Sequence, residues 1–138
     1  VTGRRPALVK SVSPTPLSGW KRWARKTMII FHLLPAAVWQ AQPTDQPYCG
    51  DTLATEGFIH CTREPERLVI VGNAYYRQTP GPFLILCVET ERLTAAVRWE
   101  ASDGHIFPHV YGPIDRAAIV DVIAFPRNPN GDFLPFSY

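Results

Sequence analysis

The sequence predicts an α+β domain, built on a curled mixed or antiparallel sheet or half-barrel of about six strands with two or three short helices. Three observations predict it. Apolar residues make up 46% of the 138 residues and aromatic residues 12%, enough for one packed core in a chain of this length. Short runs of β-forming residues recur between proline- and glycine-containing turns. Only short segments between them have helical spacing.

Charge divides the chain into two parts. Residues 1–27 contain seven basic residues and no acidic one, whereas residues 28–138 contain seven arginines, no lysine and 12 acidic residues, so their net charge is 7 − 12 = −5. We therefore expect residues 1–27 to be a disordered basic tail and residues 28–138 to be a single small soluble domain. The acidic character of the domain argues against a nucleic-acid-binding surface there.

The tail allows three interpretations. Residues 20–26 (WKRWARK) combine two tryptophans with basic residues, as in a patch that binds an anionic membrane or nucleic acid. A basic segment without acids is also typical of a transit peptide, although three prolines fit that poorly. We favour the third interpretation, in which the natural chain starts at Met28, because this only methionine directly precedes a strand-like run.

The first elements of the domain are a strand and a short helix. Residues 28–34 (MIIFHLL) form a β-rich apolar run, typical of a buried strand, which ends at Pro35. Proline suits the first turn of a helix, so residues 35–41 are predicted as helical. Residues 42–56 contain two prolines, a glycine and several polar residues, and are predicted as loop.

A second strand and a longer helix follow. Residues 57–62 (GFIHCT) are predicted as a strand, and Thr62 as the N-cap of a helix that runs to about Tyr76. Helical spacing places Leu68, Val71 and Tyr75 on one face of this helix.

The second half of the domain is predicted to be mainly β. Residues 83–89 (FLILCVE) are apolar on both faces, which indicates a central strand. Residues 93–100 form a fourth strand, followed by a turn at Asp103 and Gly104. Residues 107–111 are extended, and Pro108 indicates an edge strand or a bulge. A helical turn at residues 115–118 leads into the last strand, which ends near residue 125.

Cysteine content and hydropathy restrict the class of protein. Cys49, Cys61 and Cys87 are odd in number and have no CxxC spacing, which fits a reducing cytoplasm and provides no zinc-ligand set. No apolar run approaches the ~18 residues of a membrane-spanning helix. We therefore expect a cytoplasmic protein without a metal or a resident cofactor.

Four polar residues stand out from the packing pattern. His32, His60 and His109 lie inside apolar strand segments, and Glu100 ends another strand. Buried polar groups need partners, which mutual pairing in one cleft would supply. A His–Glu pair also suits general acid–base chemistry. We predict that these four residues converge as the catalytic set. Cys61 is interpreted as a buried thiol and His105 as a loop residue.

The motifs GFIHCT (57–62), RWE (98–100) and FPHVYGP (107–113), with Phe31 and His32 in the first strand and Trp39 after it, resemble the bacterial domain of unknown function 952 family. The loop match over residues 47–50 (PYCG) is inexact. The resemblance spans roughly residues 28–125. The family has no established reaction. It has been grouped with the ADP-ribosyltransferase-like fold, whose members bind NAD in the cleft of a split sheet.

That grouping implies roles for individual residues. His32 would orient the ribose and amide of NAD, and His60 or Thr62 would supply the second motif. Glu100 would bond a ribose hydroxyl and stabilise an oxocarbenium-like transition state. His109 and Tyr111 would line the rim of the cleft. We predict Thr62, Trp99 and Tyr111 as the substrate-binding residues. The glutamate-containing loop motif of those enzymes is not plainly present, so activity would be lost or altered.

Two functions therefore remain open. One is an enzyme that cleaves or transfers at the ribose C1 of NAD, as substrate, or of an ADP-ribosyl-type small molecule. The other is a non-catalytic ligand-binding or structural domain in which the His/Glu network provides stability. The two differ in one geometric expectation, which is whether the four polar residues face a single cleft. The sequence predicts no oligomeric state.

Overall fold

The structure is a computed structural model that describes residues 27–138. Apart from Thr27, the predicted tail and its basic patch at residues 20–26 lie outside the described residues. The elements are β1 (Ile29–Pro35), α1 (Ala36–Gln40), α2 (Asp51–Glu56), β2 (Ile59–His60), α3 (Pro65–Tyr75), β3 (Phe83–Glu89), β4 (Ala96–Ser102), β5 (His105–Tyr111) and β6 (Ile119–Ala124), with 3-10 turns at Thr90–Arg92 and Arg116–Ala118.

The strands form two antiparallel sheets of three strands each, ordered β1-β3-β6 and β2-β5-β4. The predicted α+β class is confirmed, but a single curled sheet or half-barrel is not what the strands form. An isolated bridge between Phe31 and Thr62 joins the two sheets. There the Phe31 N–H donates to the Thr62 carbonyl at 2.7 Å, and the Thr62 N–H donates to the Phe31 carbonyl at 2.8 Å.

The sheet β1-β3-β6 has an apolar core on each face, because alternate side chains of a strand point to opposite faces. One core contains Ile30 and Leu86 and packs against Ile59 and Val110 of the other sheet. The second core contains Phe31 and packs against Leu68 of α3 and the C-terminal aromatic residues. The central position predicted for residues 83–89 is therefore confirmed.

The predicted loop over residues 42–56 is wrong in its last six residues, where α2 forms. Gly50 is the N-cap of α2, and Gly57 ends the helix in the left-handed conformation at φ 87°, which glycine adopts without a steric cost. This short helix places Glu56 one turn before His60, on the strand that follows.

The helix α3 begins later than the predicted cap at Thr62. Its N-cap is Glu64, and Pro65 opens its first turn. Of the predicted apolar face, Leu68 is buried, but Tyr75 is 63% exposed. Gly72, rather than Tyr75, packs against the core, because a Cβ at this position would approach the ring of Phe133 to 3.0 Å.

The β4–β5 hairpin turns at Asp103 and Gly104, as predicted. Their φ angles of 51° and 74° are those of a type I′ turn, which matches the twist of the strands. The expectation of an edge strand at Pro108 is wrong, because β5 lies at the centre of its sheet. The Pro108 carbonyl accepts from the Cys61 N–H at 3.1 Å, just beyond the two-residue β2, so the ladder tolerates the missing proline N–H.

None of the helices within residues 27–138 has the length and hydropathy needed to span a membrane.

Candidate functional site

One face of the sheet β2-β5-β4 gathers most of the predicted polar residues. His109 on β5 pairs in register with Arg98 on β4 and with His60 on β2, so these three side chains form one row across the sheet. Because residues two apart on a strand share a face, this face also carries neighbours of the row on each strand. We call it the histidine face and define it by Phe58, His60, Arg98, Glu100, His109 and Tyr111.

Glu100 and His109 form the best-ordered pair on the histidine face. His109 Nδ1 lies 2.7 Å from Glu100 Oε1, and the Tyr111 hydroxyl donates to the same oxygen at 2.8 Å. The carboxylate only accepts, so His109 Nδ1 carries the proton in this bond. The hydrogen bonds from His109 and Tyr111 lower the pKa of Glu100, and the bond to Glu100 raises the pKa of Tyr111.

Two atoms of this pair have no partner within residues 27–138. They are Glu100 Oε2 and His109 Nε2. The His109 side chain is only 8% exposed, while that of Glu100 is 37% exposed. A buried ring nitrogen without a hydrogen bond is uncommon in folded proteins. Within the described residues, these two atoms are therefore the acceptor positions of the pair that remain open.

Phe58 fixes the position of the His109 ring. The two rings stack with centroids 4.2 Å apart and planes 23° apart. The Phe58 ring also lies 5.1 Å from the ring of Tyr111 and 4.8 Å from that of His60. Sequence reasoning missed Phe58, although its place two residues before His60 puts it on the same strand face.

Arg98 was also missed as a site residue. Its guanidinium lies 4.5 Å from the centroid of the Tyr111 ring, a favourable cation–π distance. The signal was available, because Arg98 is two residues from Glu100 on the same strand. It is the only Lys or Arg side chain that we assign to the histidine face.

Each of the three histidines on this sheet bonds a different glutamate. His60 Nε2 lies 2.9 Å from Glu56 Oε1, in a pair whose side chains are 53% and 47% exposed. His105 Nε2 lies 2.9 Å from Glu64 Oε1. His105 is not the expected loop residue but the first residue of β5, and its ring lies 4.8 Å from that of Phe107.

His32 does not share the histidine face. Its Nδ1 donates to the His60 carbonyl at 2.7 Å, and its Nε2 accepts from the Tyr48 hydroxyl at 3.0 Å. Desolvation of the ring lowers the pKa of His32 to about 4, so the ring is neutral at pH 7 and its tautomer follows from the carbonyl acceptor. His32 lies at the junction of the two sheets, where its hydrogen bond to the His60 carbonyl fixes the backbone of β2.

The position of Tyr48 depends on the loop between α1 and α2. The backbone of Tyr48 exchanges two hydrogen bonds of 2.9 Å with Ile114. Arg116 donates to the carbonyls of Gln46 and Pro43 and lies 4.4 Å from the ring centroid of Trp39. The loop is thus fastened to the segment after β5, which brings the Tyr48 hydroxyl to His32.

Thr62 and Trp99 lie away from the histidine face. Thr62 is 3% exposed, and its backbone forms the bridge to Phe31. Trp99 pairs with Pro108 and, being adjacent to Glu100 on a strand, points to the opposite face. It is 45% exposed there. Of the predicted substrate contacts, only Tyr111 lies beside Glu100 and His109.

The described residues offer no metal site, since no group of three or more His, Cys, Asp or Glu side chains within residues 27–138 could hold an ion. Cys49, Cys61 and Cys87 are free thiols. Burial raises the pKa of Cys61, which lies in the core behind His60, so this thiol is a poor nucleophile.

Residues 33–122, more than half of the chain, match the family model described as protein of unknown function (DUF952). Protein CC0527 from Caulobacter crescentus has a similar fold. Its crystal structure is 25% identical in sequence, with a TM-score of 0.66 over 78% of this chain and 94% of that one. Its solution NMR structure is 26% identical, with a TM-score of 0.60 over 75% and 89%.

A crystal structure of a double mutant of CC0527 is 24% identical, again with a TM-score of 0.66. No curated protein matches the chain. None of these matches carries a stated activity or ligand, and they do not confirm the resemblance to the ADP-ribosyltransferase-like fold.

Proposed function

The chain belongs to the DUF952 family, whose function is unknown, and from that premise we propose that its histidine face binds a ribosyl-bearing small molecule of the NAD or ADP-ribose type. One observation carries the proposal. Glu100 is a carboxylate on an accessible face, with one oxygen held by two donors and the other without a partner within residues 27–138. A carboxylate fixed in this way is a strong acceptor for sugar hydroxyls.

The neighbours of Glu100 extend this site. His109 Nε2, on the ring that Glu100 holds through Nδ1, is a second acceptor for a hydroxyl or for the proton of a water molecule. The Phe58 and Tyr111 rings provide an aromatic surface beside both acceptors. Small-molecule sites commonly combine such apolar surface with a few fixed polar groups.

The same arrangement suits ribosyl cleavage or transfer at C1. When the C1–N bond of NAD breaks, nicotinamide leaves with the bonding electrons and the ribose develops oxocarbenium character. The negative charge of Glu100 stabilises that positive charge. A water oxygen then bonds C1 and gives its proton to His109 Nε2, whose ring Glu100 holds through Nδ1. In this proposal Glu100 has the role that the resemblance implies, whereas His32 would act through the His60 backbone rather than on the ribose.

Calorimetric titration with NAD and with ADP-ribose tests this proposal. We expect binding heat with the native protein and an affinity roughly tenfold or more lower for Glu100→Gln, because the charged acceptor is lost. Asp121→Asn is the matched control, since Asp121 is an exposed carboxylate on β6 of the other sheet, and it should bind as the native protein does. Absence of heat from the native protein with both ligands would overturn the proposal.

A second candidate is a non-catalytic domain in which the His/Glu network provides stability. The observation that favours it is the mutual pairing of His60, His105 and His109 with three glutamates. It predicts that neither NAD nor ADP-ribose changes the melting temperature of the native protein. A thermal shift that appears with nucleotide and vanishes in Glu100→Gln rejects it.

A further inference from the structure

We propose that the histidine face prefers ribosyl ligands that carry a positive charge and no phosphate, such as a pyridinium nucleoside, over ribosyl compounds that carry phosphate. This inference rests on the proposed ribosyl site and narrows its ligand class. Its basis is the charge that surrounds the face. The two histidines of the face, His60 and His109, each bring a carboxylate within hydrogen-bond distance, and these carboxylates belong to Glu56 and Glu100.

The carboxylates outnumber the cations around this face. The two carboxylates and the single guanidinium of Arg98 contribute charges of 1 − 2 = −1. Arg98 is itself engaged with the ring of Tyr111 and lies near Glu100. A phosphate group would add roughly two negative charges at pH 7. The carboxylates around the face would repel it. The net charge of −5 over residues 28–138 acts in the same direction.

The aromatic side chains favour a cation for an independent reason. Phe58 lies with its ring centroid 4.2 Å from that of His109 and 5.1 Å from that of Tyr111, and the His60 ring lies 5.2 Å from His109. Aromatic faces attract organic cations through the ring quadrupole. An aromatic cluster bordered by carboxylates is therefore complementary to a flat cation such as pyridinium, while Glu100 Oε2 and His109 Nε2 accept from the ribose hydroxyls.

A pair of ligands that differ only in phosphate tests the inference. Nicotinamide riboside is a cation, and nicotinamide mononucleotide is the same compound with a phosphate. By calorimetry on the full chain, we expect the riboside to bind roughly tenfold or more tightly than the mononucleotide. It should also bind more tightly than uridine, a riboside without charge.

Salt and a single charge substitution provide the second readout. Raising NaCl from about 50 mM to about 500 mM screens exposed charges, so it should weaken binding of the riboside and strengthen binding of the mononucleotide. Glu56→Gln should act in the same directions as salt. The Glu56 pair with His60 is half exposed, so this substitution leaves the fold intact. Asp121→Asn should change neither affinity.

The outcomes separate this inference from the proposed function. If the mononucleotide or NAD binds as tightly as the riboside, or if salt weakens binding of the mononucleotide, the charge inference is overturned and the ribosyl site stands. If riboside, mononucleotide and NAD all fail to bind, both are overturned. Tighter binding of the riboside together with the opposite salt responses supports both.

Discussion

The His32→Gln variant is expected to lose about 3 kcal/mol less unfolding free energy than the native protein when the pH falls from 7 to 4. The pKa of His32 falls from 6.5 to about 4 in the folded protein because burial disfavours the imidazolium. One pKa unit corresponds to about 1.4 kcal/mol, which sets the size of the effect. Glutamine can still donate to the His60 carbonyl and accept from Tyr48, so the fold should persist.

The sign follows from proton binding. Between pH 6.5 and pH 4 the unfolded chain protonates His32 and the folded chain does not, so acid favours unfolding across this window. Above pH 6.5 the titration of His32 does not change the unfolding free energy. Below about pH 4 the loss of unfolding free energy caused by this titration is complete. Urea unfolding of native and variant proteins at pH 7, 5.5 and 4 measures the difference, in which other titrating groups cancel. Equal losses in the two proteins would contradict a desolvated, neutral His32.

Replacing His109 with alanine is expected to cost about 3 kcal/mol of unfolding free energy. The substitution removes a buried ring that stacks on Phe58 and a hydrogen bond to an ionised carboxylate, and losses of this kind cost a few kcal/mol. His60→Ala should cost less than about 1 kcal/mol, because its partner is the exposed Glu56. Chemical denaturation at pH 7 measures both.

This comparison identifies which histidine supports the site. The sequence alone does not distinguish His32, His60 and His109 as partners of Glu100. The structure assigns that bond to His109. A His60→Ala variant as unstable as His109→Ala would mean that the pairing is different from the one described.

Strand periodicity is local, so the sequence is enough to show which residues of the histidine face share a strand face. Residues two apart share a face, which links His109 to Tyr111, Arg98 to Glu100 and Phe58 to His60. The same rule separates Trp99 from Glu100, so the prediction that both contact one substrate conflicted with the predicted strand itself. An apolar run without alternation identified the central strand β3, whose alternate side chains enter two cores.

Sequence patterns did not predict which segments far apart in the chain pair with each other. The row across the sheet depends on the register of β2 against β5, between segments about 50 residues apart in the chain. The partner of His32 is Tyr48, which comes from a proline-containing loop without periodicity. Without that partner, His32 could not be distinguished from a member of the histidine face.

The central claim is that the histidine face is the ligand site of this protein. Side-chain NMR of the aromatic residues tests it most directly, during titration with nicotinamide riboside and with NAD. We expect saturable shifts for Phe58, His60, His109 and Tyr111, while the indole signals of Trp99 stay unchanged. Shifts centred on Trp99, or no shifts with either ligand, would contradict the claim.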